Sequence, residues 1–154
     1  MATYNDGKGY NLGTGAAHVA AGINKVSSVT VELDFAAITT ARSDASLTAL
    51  AAGDVLEVIK VPANTLVTSV ALNVTTAEGG TLTIDVGDGD DPDGYLDGVN
   101  ANTTAAYITT PSAGTPTGLA SGKFYTAEDT IDVTTVNAAD AAKMTLTVVM
   151  VDCS

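Results

Sequence analysis

Residues 61–97, VPANTLVTSVALNVTTAEGGTLTIDVGDGDDPDGYLD, decide how the chain folds. Leu66, Val70, Leu72 and Val74 recur among polar residues, and so do Leu82, Ile84 and Val86. A period of two places each set on one face of a β-strand. Gly79 and Gly80 stand between the two runs, so the segment reads as two amphipathic strands joined by a tight turn, a β-hairpin. It empties into a loop in which six aspartates fall from Asp85 to Asp97. Such a loop either binds a hard cation or forms a solvated rim on a β-assembly.

The rest of the 154 residues fit one domain, long enough to bury about 68–70% of the unfolded surface. There is no Trp and only two Phe, so the core must come from Val, Leu, Ile, Thr and Ala. These residues favour strands and make a thin core, which partners would complete by adding buried area. Oligomerisation is therefore expected. A net charge of −12, with six Lys and Arg scattered from Lys8 to Lys143, excludes a phosphate-binding surface and with it nucleic acid. No run of 18 apolar residues occurs, nor does the basic and apolar start of a secretory signal. The expectation is a soluble chain with no membrane anchor, made in the cytoplasm, its one cysteine, Cys153, unpaired.

Residues 1–25 carry five glycines among small and polar residues and read as an extended N-terminal arm, in which Tyr4 and Tyr10 could anchor a neighbouring surface. Residues 26–154 read as the folded domain. Val29, Val31, Leu33 and Phe35 alternate with Thr30, Glu32 and Asp34 as a strand with one wet face. Leu47, Leu50 and Ala51 stand at helical spacing, with Ser43 or Asp44 to cap the start and Gly53 to close the end, which predicts one short helix. Residues 54–61, DVLEVIKV, are apolar on both faces and should lie centrally or at a subunit contact, with Val55, Leu56, Val58 and Ile59 as candidate partner-binding residues. Further strands are expected near 105–109, at Phe124 and Tyr125, at Ile131 and Val133, and across Met144, Leu146, Val148 and Met150. About eight strands and one helix, joined by both tight and long connections, give an all-β fold, an antiparallel β-sandwich of jelly-roll type.

Asp88, Asp90, Asp91 and Asp93 are the calcium candidates, since the loop combines oxygen ligands with turn-forming glycines. Counted from Asp88, however, the fifth position is Pro92, the sixth is Asp93 instead of Gly, and no Glu stands at the twelfth, so this is not an EF-hand. The solvated loop, with aspartates capping turn amides, is the simpler reading. His18 is the one histidine and lies in the arm, far in sequence from Cys153; neither a Cys-His pair nor a zinc set is assembled. The Glu32 and Asp34 carboxylates lack the aromatic platforms a glycosidase would need. No catalytic residue and no cofactor other than that calcium candidate is expected.

The run GDVLEVIKVPANTLVTSVALNVTTAEGGTLTIDVGDGDDPDGYLDG at 53–98, followed by GKFYTAEDTIDV at 122–133, resembles small virion structural proteins of tailed bacteriophages. Segments 53–61, 86–94 and 125–133 carry the likeness. The proteins resembled are capsid decoration, or cement, proteins. The resemblance implies a non-enzymatic trimer on the outer capsid surface of a virion, bound to the major capsid protein and reinforcing the head. The alternative is a fibre or tail module that uses the Asn/Thr-rich loop 98–122 to bind a receptor or glycan.

Overall fold

The computed structural model describes residues 25–108, 119 and 121–154. Tyr4, Tyr10, His18 and the proposed arm up to residue 24 lie outside them, as does most of 109–120. Nine strands and one helix are present among the described residues: β1 (Val26–Asp34), α1 (Phe35–Asp44), β2 (Val55–Val61), β3 (Thr65–Thr76), β4 (Thr83–Gly87), β5 (Leu96–Asn100), β6 (Ala105–Ile108), β7 (Lys123–Tyr125), β8 (Asp129–Thr135) and β9 (Lys143–Asp152). Their pairings are antiparallel. One sheet, here sheet A, runs β1-β9-β3-β6, with β7 also paired to β3; the other, sheet B, runs β2-β8-β4-β5.

This order is what a single long hairpin gives when it is rolled up. First pairs with last (β1·β9), second with second-last (β2·β8), β3 with the split strand β6/β7, and β4 with β5. Rolling then brings β9 onto β3 and β8 onto β4. Two four-position antiparallel sheets connected in this way are a jelly roll. The expected fold class, an antiparallel β-sandwich of jelly-roll type with one short helix, is the one found.

Three local readings change. The 61–97 segment is not a hairpin: β3 lies in sheet A and β4 in sheet B, so residues 77–82 cross between layers. Both strands have a core face, and alternation alone cannot say whether they hydrogen-bond to each other or face each other across the core. The crossing is held by Glu78, whose carboxylate accepts from the amides of Asp140, Ala141 and Ala142 at 2.9, 3.1 and 2.7 Å. Second, Leu66 points outward while Val67, Val70, Leu72 and Val74 are buried, because a β-bulge between Val67 and Ser69 shifts the alternation. Third, the helix is α1 at Phe35–Asp44, ending where the predicted helix was to begin. Asp34 caps it by accepting from the Ala37 amide at 3.1 Å, and the fully buried Phe35 is its first residue instead of the end of a strand. Leu50 is buried in the core from an irregular segment, and Gly53, at φ +84°, turns the chain into β2.

Strand β2 is an edge of sheet B, not a central strand. Its apolar character is divided: Ile59 and Val61 are buried in the core, Leu56 and Val58 are half-buried, and Val55 is 54% exposed. The core itself is the expected aliphatic layer between sheets. Leu82, Ile84 and Val86 from β4 and its approach meet Ile131 and Val133 of β8 and Met144, Leu146 and Val148 of β9, all fully buried.

Candidate functional site

The aspartate loop begins where β4 ends, and Gly87 sets its path. A Cβ on Gly87 would lie 1.9 Å from the Asp91 carbonyl oxygen and 2.4 Å from the Pro92 carbonyl carbon, so only glycine lets the loop fold back against the strand. Asp88 then organises the turn. Its Oδ1 accepts from the amides of Asp90 and Asp91, both at 3.0 Å, while its own amide donates to the Asp91 carbonyl at 3.1 Å. These are the local bonds that make aspartate a turn residue.

The other oxygen faces inward, and the Asp88 side chain is wholly buried. Asp88 Oδ2 accepts from Lys123 Nζ at 2.7 Å and from the Tyr125 hydroxyl at 2.6 Å. Tyr125 has one phenolic proton and gives it to the carboxylate, so the 3.0 Å contact between the two phenols is Tyr95 donating to Tyr125. Lys123 also reaches Asp90 Oδ2 at 3.4 Å and lies over the Tyr125 ring, 4.7 Å from its centroid. Strand β7 thus delivers Lys123 and Tyr125 from sheet A onto a loop of sheet B, tying the two layers together at one end of the sandwich.

The electrostatics match a structural tie. Burial alone would raise the Asp88 carboxyl, but the bonds from Lys123, Tyr125 and the two amides hold it below its usual range. Burial opposes the Lys123 ammonium, yet Asp88 and Asp90 keep it above its ordinary value. Burial pushes the Tyr95 phenol up to about 12, and burial together with donation to Asp88 pushes Tyr125 higher still. Both phenols stay protonated at neutral pH. A nucleophile or general base needs a free lone pair at working pH. The Asp88 carboxylate has its lone pairs engaged, so the cluster assembles neither.

Of the four calcium candidates, Asp88 and Asp90 come together, and Asp129 at the start of β8 joins them; one oxygen from each lies within 4.8 Å of the others. Asp91 and Asp93 are not part of that group. Asp91 is raised above the usual carboxylate range by burial and by a hydrogen bond shared with Asp93. Lys123 bonds both Asp88 and Asp90 and so supplies the positive charge this pair requires. Sequence reading missed Lys123, Tyr95, Tyr125 and Asp129. The available signal was the Lys-Phe-Tyr triplet, one of few cations in an acidic chain next to two of its seven Tyr and Phe residues.

The outer surfaces of the two sheets differ. Sheet B exposes or half-exposes Glu57, Asp85 and Asp97, and its strand β8 carries Asp132 on the same side, opposite Glu57 on β2 and Gly87 on β4. Asp132 is nearly buried, its Oδ1 has no partner among the described residues, and burial holds its carboxyl above the usual range. Asp85 is raised too, by burial and then by Asp97 and Asp93 nearby. Val55, the exposed member of the expected contact strand, lies at the free edge of this sheet.

No family profile matches the chain, and no curated protein matches its sequence. Solved structures do match. A chain of the acidic stable capsid of Helicobacter pylori bacteriophage KHP30 aligns with TM-score 0.56 and 17% identity, covering 86% of this chain and 92% of that one. A chain of the capsid of Ralstonia phage GP4 aligns with TM-score 0.57 and 17% identity, covering 84% and 86%. A chain of the cyanophage Pam1 capsid asymmetric unit aligns with TM-score 0.54 and 20% identity, covering 82% of each. The jelly roll built here is thus a fold shared, nearly end to end, with chains found in three phage capsids.

Proposed function

We propose that this chain is a virion structural protein of a tailed phage that decorates the head: a non-enzymatic cement protein, trimeric, seated on the outer capsid surface and bound to the major capsid protein. The observation that carries the reading is the extent of the fold match, 82–92% of each capsid chain aligned to this one, so that little of either partner is left over for another role. The chemistry of the buried polar cluster agrees with it, since Asp88, Lys123 and Tyr125 are engaged with each other and not with a substrate. An acidic protein outside a shell meets no packaged DNA, and like charge discourages virions from clumping. The segment 1–25, with Tyr4 and Tyr10, and the β2 edge at Val55, Leu56 and Val58 are the proposed contacts with the shell.

Binding stabilises a lattice by mass action when the ligand prefers the assembled shell over its parts. The experiment is co-sedimentation of the purified protein with expanded shells that lack it, alongside whole host cells. Saturable binding to shells and a raised disassembly temperature are expected. Binding to cells with none to shells would replace decoration by the fibre or tail reading.

A further inference from the structure

We infer that the outer face of sheet A is the surface through which copies of this chain associate. The inference rests on the oligomer proposed for head decoration and names the face that builds it. Pairing register places Val26 of β1, Val151 of β9, Leu66 of β3 and Phe124 of β7 in one row across that face. Val26 is 70% and Phe124 47% exposed, and Ile108 of β6, on the same face beside Ala71, is 57% exposed. Leu66 joins the row only because the bulge after Val67 turns it outward. The adjoining rows add small and β-branched residues without charge, such as Thr30, Thr147 and Val149. Among the described residues of these strands, charge on this face appears at the far end, as Glu32 and the Asp34–Lys143 ion pair.

Charge selects a second copy as the occupant. Each copy carries −12, so two copies repel unless they meet where charge is absent. Sheet B cannot be that place, with Glu57, Asp85 and Asp97 on its outer side and the aspartate loop folded against it. The neutral face of sheet A can, when the three copies turn it toward a common axis so that one part of each face meets a different part of the next copy's. A contiguous apolar row left on a soluble chain is itself the mark of an interaction surface.

Sedimentation equilibrium of the full chain alone, without shells, tests the inference. The wild type should sediment as a multiple of 15.4 kDa. Phe124→Asp and, on a separate strand, Ile108→Asp should each weaken association at least tenfold, while Val136→Asp, exposed just after β8 of sheet B, leaves it unchanged. Far-UV circular dichroism and the urea midpoint identify any variant that has unfolded, and the other sheet A variant then decides. A monomeric wild type overturns the inference. So does unaltered association of the folded variants, or dissociation by Val136→Asp instead. None of these results bears on shell binding, which the co-sedimentation measures separately.

Discussion

Replacing Asp88 by Asn should cost the fold about 2–4 kcal/mol, because the new amide meets Lys123 and Tyr125 with a donor where they need an acceptor. The magnitude follows from the hydrogen bonds that break. Two charge-assisted bonds to Oδ2 disappear, each worth about 1.5–3 kcal/mol, and the two amide bonds to Oδ1 survive. Lys123 keeps a path to water, its side chain being 22% exposed, which places the expected loss below the simple sum. Lys123→Met should cost a similar amount by leaving the wholly buried carboxylate without its counter-charge. The double variant should be less damaging than the two singles added together, with a coupling of about 1.5 kcal/mol or more, since each single loss already contains the same broken pair. Urea unfolding followed by circular dichroism gives the three values, and each kcal/mol corresponds to about 2–4 °C in Tm for a chain of this size. Additivity within about 0.5 kcal/mol, or a loss below about 1 kcal/mol for Asp88→Asn, would refute the view that this cluster ties the two sheets.

Other perturbations read out neighbouring parts of the fold. Gly87→Ala places a methyl against the Asp91 carbonyl and should cost about 2 kcal/mol or more, with faster hydrogen exchange at the Asp90 and Asp91 amides; unchanged exchange there would contradict the loop path. Glu78→Ala strips the acceptor from three amides and should cost about 1–3 kcal/mol, with exchange accelerated at 140–142 and not in α1. Asp132, with a folded carboxyl held above its ordinary value of 3.8, binds its proton more tightly folded than unfolded, so it destabilises at neutral pH and that penalty lifts as pH falls through the raised value. Asp132→Asn should therefore be more stable than wild type at pH 7, and its advantage should shrink toward pH 4; an advantage that grows on acidification would reverse the assignment. Asp88 works in the opposite sense. Its depressed carboxyl contributes stability above the ordinary value of 3.8, and that contribution is lost as pH falls through the lower folded value.

The core was legible in the sequence because it obeys a period of two: Leu82, Ile84 and Val86, or Met144, Leu146, Val148 and Met150, can face inward together only as strands. Which strands pair was not legible, since β3 and β4 show the same alternation whether bonded in a hairpin or stacked across a core. The bulge after Val67 was also hidden, because it arises from pairing with β9 and leaves no residue signature. The helix was misplaced because Leu47 and Leu50 imitate helical spacing, whereas the true start depends on Asp34 leaving a strand and capping Ala37 in the same step. The turn-capping in the aspartate loop was legible, but the solvated loop expected around it is not what forms: Asp88 is wholly buried, and its tie to Lys123 and Tyr125 spans 35 and 37 residues and exists only once β7 docks on β3.

Whether this jelly roll decorates a phage head from outside is decided by a cryo-microscopy reconstruction of virions at a resolution that separates the two sheets. Density for the sandwich on the outer capsid surface, three copies about a local axis and each touching the major capsid protein, is the expected result. The same density found in a tail or fibre, or on the inner side of the shell, would contradict it.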